Sequence, residues 1–592
     1  MSKCQNMQYI PRVAWFTQHK KPKRLTLSMM AMLALAYAEA ARFTCPDECR
    51  CTDRFHPEYG HALQVYCTRG GLRNIPTENL DRNTEVMILS APARRPNFIS
   101  IGPVLTQPAP YSKLRYLTIM NSNVPNIEKH PFWGLHNLVA INLTHNEITT
   151  IAPVNFRGLL DLDQLNLDNN KIDLIPSEAF KNVPSLRTLT MSSNKITSLV
   201  PRIFKTLANL RTLDLSYNLI NELDPEVFKD IQRLTSFKCR RCLLSQVNPQ
   251  IYHLINGLED LDLGENQFKF LTRDEFISLN KLTSLKLDGN QLSVIVDNMF
   301  AKNYQLKALT LARNRLALMA PASLTNLTSL QYLDMSYNKI DRFHLQTFTP
   351  VIESLKTISF SGNNLPLNEI AIVLQILPEI QGVSLANLSL DDIPSNFFSY
   401  NEHLIVLDIS YNKLRTFPYK LLSKMKMLQD LNFSYNRIES LNDRELMRLE
   451  SLPRVDMTGN PWSCDQCSAG AMIIYMRTTV LNESIRELKC FSPMKLRGSK
   501  FSMLTFDKLE PCTTPHDMQL SVVAGLILLC VAIFAVIAGI LCCVRRRSAR
   551  YYTNEVKDSD RDMDLPLELL SRADLSPVAT IHSPSCMLSR RS

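Results

Sequence analysis

Glycine is scarce in this chain, 16 of 592 residues, and no P-loop, dinucleotide fingerprint, G-x-S-x-G or H-E-x-x-H occurs. Nothing in it reads as an enzyme, and no cofactor is expected. Acidic residues are missing from the first 24 positions, which hold six Lys or Arg, and Leu25 to Ala38 is apolar apart from Thr26 and Ser28 before the small-residue stretch "AYAEA". That pattern predicts a signal peptide over residues 1–40 with a long basic leader. Charge is missing again over the 25 residues from Leu520 to Val544. At about 1.5 Å per helical residue this run covers a ~30 Å hydrocarbon core. Arg545, Arg546 and Arg547 follow at once, and the positive-inside rule puts them in the cytoplasm. The expected topology is type I single-pass in the plasma membrane, with the N-terminus and residues 41–519 outside. A broad basic field is missing too. Of the net charge of +10, +5 lies in residues 1–40 and +2 in residues 545–592, leaving about +3 for the ectodomain. Binding that rests on phosphate neutralisation is excluded, so no nucleic-acid partner is expected.

What is abundant is repetition. The stretches "LVAINLTHNEI" (138–148), "LDQLNLDNNKI" (162–172), "LRTLTMSSNKI" (186–196), "LRTLDLSYNLI" (210–220) and "LEDLDLGENQF" (258–268) fit L-x-x-L-x-L-x-x-N-x-L. They resemble the leucine-rich repeat. The asparagine column runs through Asn146, Asn170, Asn194, Asn218, Asn266, Asn290, Asn314, Asn338, Asn363, Asn412, Asn436 and Asn460, mostly in steps of 24. With irregular rungs at Leu114 and Ile380 the count is about fifteen, and "TEVMILSA" suggests an additional first rung. Such units bury their apolar stripe only by stacking on neighbours. The fold class is therefore an α/β solenoid, a leucine-rich repeat horseshoe with a parallel concave sheet about 70 Å along its arc. Phe156, Phe180, Phe204, Phe228, Phe276, Phe300 and Phe348 form a second column, expected as convex-side core. Two 25-residue steps, Asn338 to Asn363 to Leu388, mark a change of curvature.

An asparagine is due at 242, where Cys242 stands, with Cys239 at the preceding leucine position. Leucine positions pack inward, and the asparagine position holds a small polar group against buried turn backbone, where cysteine can substitute. Two inward thiols of one rung cannot make a four-ligand zinc shell, so no metal is expected. The expectation is a pair of free buried thiols, with a local disulfide as the alternative.

A solenoid's ends need caps. Cys45, Cys49, Cys51 and Cys67 stand at one end, and Cys464, Cys467, Cys490 and Cys512 at the other, each set allowing three pairings. From about residue 45 to 512 the chain resembles extracellular leucine-rich repeat proteins with Slit-type cysteine caps. That resemblance implies Cys45 with Cys51, Cys49 with Cys67, Cys464 with Cys490, and Cys467 with Cys512. Gln466 is an extra residue relative to the family's N-P-W-x-C-x-C. The expected domains are residues 1–40 signal peptide, 41–80 N-terminal cap, 81–460 repeats, 461–512 C-terminal cap, 513–519 stalk, 520–544 membrane helix and 545–592 disordered cytoplasmic tail.

On the concave sheet one column reads Asp214, Lys238, Asp262, Lys286, and another is expected to bring Arg241 beside Glu265. Lys238, Arg241, Asp262, Glu265 and Lys286 are the candidate ligand face. Tyr217, Tyr337, Tyr411 and Tyr435 of the "SYN" triplets could add contact area. Sequons stand at Asn142, Asn326, Asn387, Asn432 and Asn482. Asn142 and Asn432 would put glycans on the concave face near its ends, leaving the middle rungs to a ligand. The tail is too short for a signalling domain. Its candidates are palmitoylation at Cys542 and Cys543 and phosphorylation at Tyr552, Ser576 and Ser583. In organisation the chain is similar to the insect neuronal adhesion proteins tartan and capricious. That similarity implies an adhesion or recognition protein binding an extracellular or cell-surface protein, homophilically or in cis included. The alternative is a Toll-like receptor or co-receptor acting through partner proteins.

Overall fold

The computed structural model describes residues 43–105, 111–478, 487–511 and 515–555. The expected signal peptide, Asn482, Cys512, Ser576, Ser583 and the side chain of Tyr552 lie outside the described residues. Contacts divide the chain into one unit ending at Glu510 and a second beginning at Pro511.

In the first unit, Arg50–His56 and Gly60–Cys67 form an antiparallel hairpin. Val86–Leu89, in the expected first rung, pairs parallel with Gly60–Cys67. From there one strand per rung pairs parallel with that of the preceding rung, down to Arg454–Asp456, making one 18-stranded sheet among the described residues, while Val294–Ile295 and Leu318–Met319 form a separate two-stranded parallel sheet. Most strands are only three residues long, too short to hold without neighbours. The 24-residue step puts like on like: Leu213 lies opposite Phe237, then Leu261, then Leu285. All four are buried, and burial of each contributes about 1.5–3 kcal/mol.

The asparagine column satisfies the backbone that the tight turns leave open. Asn194 is typical: its Nδ2 donates to the carbonyls of Leu167, Met191 and Ser192 at 3.0, 3.1 and 3.2 Å. Its Oδ1 accepts from the amide of Ile172 at 3.0 Å. One buried side chain thus ties three segments of two rungs and satisfies buried backbone groups that an apolar side chain would leave open. The phenylalanine column is buried as expected, with Phe180 on Phe204 and Phe276 on Phe300 at 6.0 and 6.1 Å between centroids. A second set of asparagines on the return side went unread in the sequence. Asn303 Nδ2 donates to the carbonyls of Phe276 and Leu279, and Asn401 Nδ2 to those of Leu374 and Leu377. Where the rung lengthens to 25 residues, the apolar stretch forms a helix, Leu367–Gln375, with Ile370, Val373 and Leu374 buried.

Disulfides join Cys45 to Cys51 and Cys49 to Cys67 at the first end. At the other, Cys464 is joined to Cys490, and Trp462, buried, donates from Nε1 to the Met457 carbonyl at 3.2 Å. Cys467 is also disulfide-bonded; its expected partner, Cys512, is not among the described residues. Cys239 and Cys242 are joined as well, with Cα atoms 5.5 Å apart. This overturns the expectation of two free thiols: both side chains point into one rung interior at a separation a disulfide spans. The second unit is a helix, Pro515–Glu555. It therefore takes in most of the expected stalk and the first residues of the expected tail. Within it, Val522–Arg545 is long and apolar enough to cross a membrane, and none of it is buried by protein.

Candidate functional site

The middle rungs of the concave sheet carry the densest charge, and parallel pairing fixes their order. Asp214, Lys238, Asp262 and Lys286 stand side by side. Lys286 reaches Asp262 at 3.7 Å, whereas Lys238 makes no ion pair among the described residues. The organising residue is Arg240, which the sequence reading passed over. Its Nη1 and Nη2 donate to the two oxygens of Asp288 at 2.9 and 2.7 Å, its Nε to Asp262 at 3.2 Å, and its Nη1 also to Glu265 at 3.0 Å. Asp288 in turn accepts from the Thr310 hydroxyl at 3.1 Å. One guanidinium thus gathers three carboxylates from two rungs.

Gly264 makes this possible. A Cβ there would lie 2.4 Å from Arg240 Nη2 and 2.5 Å from Cζ, so the guanidinium occupies the space of the absent side chain. The positions of this column on either side of Arg240 and Asp288 are the small residues Ser216 and Ala312. Burial is the largest influence on the Asp288 carboxylate and works against it, but the hydrogen bond and charge of Arg240, with the Thr310 hydroxyl and a backbone amide, together hold the pKa below the usual carboxylate range. The Asp288 hydrogen bond is likewise the main cause that pushes the Arg240 guanidinium upward, against burial.

Two candidate residues are corrected. Arg241 stands in the rung next to Glu265, its amide donating to the Gly264 carbonyl at 2.9 Å, but it makes no ion pair with Glu265: its guanidinium lies over the Tyr217 ring, 6.0 Å from the centroid, and Arg240 takes Glu265. Asp262 is only 6% exposed, covered by Arg240, so it supports the face rather than presenting to a ligand. The sequence signal for the cluster was an arginine, a glycine and an aspartate at 24-residue steps, 240, 264 and 288, in a column of small residues elsewhere.

The four tyrosines sit one turn beyond the strands, all with positive φ and all exposed. Tyr411 and Tyr435 are stacked at 4.4 Å and 9°, and Arg313 lies over Tyr337. Asn142 and Asn432 end concave strands; their Oδ1 atoms accept from the amides of Thr144 and Ser434 at 3.0 and 3.1 Å. Asn326 and Asn387 are exposed with positive φ. Cys542 and Cys543 are unpaired and exposed on the helix Pro515–Glu555.

The leucine rich repeat family model matches residues 112–172, 161–220, 184–244, 232–292, 281–340, 304–365 and 378–437, more than half of the chain. Trophoblast glycoprotein of Macaca fascicularis is 26% identical over 271 residues, 40% of this chain and 61% of that protein. Toll-like receptor 4 of Bos taurus is 26% identical over 144 residues, 24% of this chain and 17% of the receptor. The chain thus spans less than two thirds of either relative. Among solved structures, a leucine-rich repeat protein of Leptospira interrogans aligns with a TM-score of 0.52 at 25% identity, over 65% of this chain and 93% of that one. With its rungs in 24-residue register, its asparagine ladder and this match, the chain belongs to the leucine-rich repeat family.

Proposed function

We propose that this protein is a single-pass cell-surface recognition protein, N-terminus outside, whose concave sheet binds a protein ligand, soluble or on a neighbouring cell, as an adhesion molecule does. The observation that carries this reading is the Arg240 cluster. A guanidinium, three carboxylates and the unpaired Lys238 are held in fixed positions on an open face, in rungs with no sequon. Preorganised charge gives specificity and orientation to protein association. The apolar helix Val522–Arg545, the one such helix among the described residues, and the likeness to a Toll-like receptor support the membrane setting.

A glycan placed on the strip tests this. Asp214→Asn completes a sequon with Leu215 and Ser216 at the offset where Asn142 and Asn432 stand, and Ala308→Asn completes one with Leu309 and Thr310. Both positions are partly exposed on the sheet. In a mixing assay of cells expressing the full chain with differently labelled expressing and non-expressing cells, either change should abolish aggregation at matched surface level. Aggregation that persists with the added glycan confirmed by mass spectrometry overturns the concave strip as the site.

A further inference from the structure

The residue before the column position, asparagine in twelve rungs and Ser122, Cys242 or Leu388 in the others, has left-handed backbone in all fifteen, from Asn121 (φ 49°) to Gly459 (φ 70°). These residues form one ridge along the sheet's edge, held in register by amide-to-carbonyl bonds such as Asn387 to Ser410 at 3.0 Å and Tyr411 to Ser434 at 2.9 Å. On this ridge Glu265, Tyr337 and Tyr435 lean toward the following rung, whereas Arg241 lies over Tyr217 of the preceding one. A Cβ on Gly289 would meet Glu265 Cγ at 2.8 Å, and on Gly362 and Gly459 it would meet the Cδ1 atoms of Tyr337 and Tyr435 at 2.5 Å. Tyr411 leans the same way and lies flat on Tyr435. Its other face is turned to the preceding rung, where Asn387, exposed, heads the sequon "NLS".

We propose that Tyr411 is a carbohydrate-binding platform for the chain's own glycan: the first N-acetylglucosamine on Asn387 packs its C–H face on the free face of the ring. The inference rests on the extracellular placement proposed above. The spacing suits it, since adjacent rungs lie about 4.8 Å apart, close to the thickness of a sugar ring on an aromatic one. The chemistry suits it too, because the electron-rich π face attracts the weakly positive C–H groups of a pyranose. Tyr217 and Tyr337 are not equivalent: the ridge neighbours Arg241 and Arg313 lie over their rings, and neither is preceded by a sequon. The sugar closes the C-terminal end of the aromatic ridge and leaves the stretch from Tyr217 to Tyr337 open beside the Arg240 cluster.

The test is native deglycosylation of the purified full-length chain by a peptide N-glycanase, followed site by site with mass spectrometry, in wild type, Tyr411→Ala and Tyr411→Trp. Release at Asn387 should be about three- to tenfold faster in Tyr411→Ala, the range set by typical aromatic contact energies, and slow again in Tyr411→Trp. Release at Asn326 should be the same in all three, which also reports an intact fold. An unchanged Asn387 rate in Tyr411→Ala overturns the platform, as does an empty Asn387 where other sequons are occupied. Absence of glycans from every sequon overturns the extracellular reading and the platform with it.

Discussion

Arg240 and Asp288, 48 residues apart in sequence, share two hydrogen bonds of 2.9 and 2.7 Å across the rung between them. The contact needs Gly264 beneath it, and that dependence can be measured. Gly264→Ala drives a methyl into the guanidinium and should destabilise by about 1–3 kcal/mol, as overpacking does. Arg240→Ala in the Gly264→Ala background removes the clash, so the alanine at 264 should then cost little. Thermal unfolding of the four proteins checks this. Additive losses would mean that Gly264 serves something other than room for the Arg240 guanidinium.

Acid should weaken the same cluster. The folded-state pKa of Asp288 is depressed by Arg240 against the pull of burial, while an unfolded aspartate titrates near ~3.9. A depressed value means that the stabilisation is complete above about pH 5 and is lost as pH falls through the folded value. Asp288→Asn should therefore flatten the acid limb of a plot of unfolding midpoint against pH between 7 and 2.5. An acid limb of the same slope in both proteins counts against it.

The rung at Cys242 lacks the side chain that its neighbours use. Cys242 Sγ lies 3.2 Å from the Leu215 carbonyl, but within the disulfide it has no proton to donate, and it offers no oxygen to the Ile220 amide. Replacing both cysteines, Cys239→Leu with Cys242→Asn, removes a short loop closure worth about 2 kcal/mol. It also restores buried hydrogen bonds worth about 1 kcal/mol each. The denaturation midpoint should stay within about 1 kcal/mol of wild type, with surface expression intact. A larger loss would show that the covalent link is indispensable to the rung.

The cap disulfide between Cys464 and Cys490 covers the last rung beside Trp462. Cys490→Ser should cost about 2–5 kcal/mol and keep the protein inside the secretory pathway, seen as loss of cell-surface labelling at unchanged total expression. Normal surface levels would show that the cap is dispensable.

The rungs were legible because each repeats the same inward pattern, so the asparagine ladder and the phenylalanine column could be placed from spacing alone. The Arg240 cluster was not, for a physical reason. Column alignment says which residues are neighbours, but a long side chain chooses among neighbours by the room it finds, and the room over Gly264 drew Arg240 past the nearest rung. Arg241, one residue on, enters the left-handed turn and swings to Tyr217, which alternation along a strand does not anticipate. The link between Cys239 and Cys242 ran against the expectation of free thiols, since the repeat gives the inward direction of both side chains and leaves the distance between their sulfurs open. The return-side asparagines Asn303 and Asn401 recur without the strict period that made the ladder visible.

The parallel register of the strands also has a mechanical consequence. Each strand lies across the direction in which rungs stack, so a pull along the stack loads the ladder hydrogen bonds in tension, one rung after another, instead of shearing many at once. The ladder hydrogen bonds join nearest rungs, so rupture would advance by peeling from the end where the load enters. At the C-terminal end of the stack, the link from Cys464 to Cys490 stands where a load entering from that end would start the peeling, making the C-terminal cap a crack-stopper for a protein under traction.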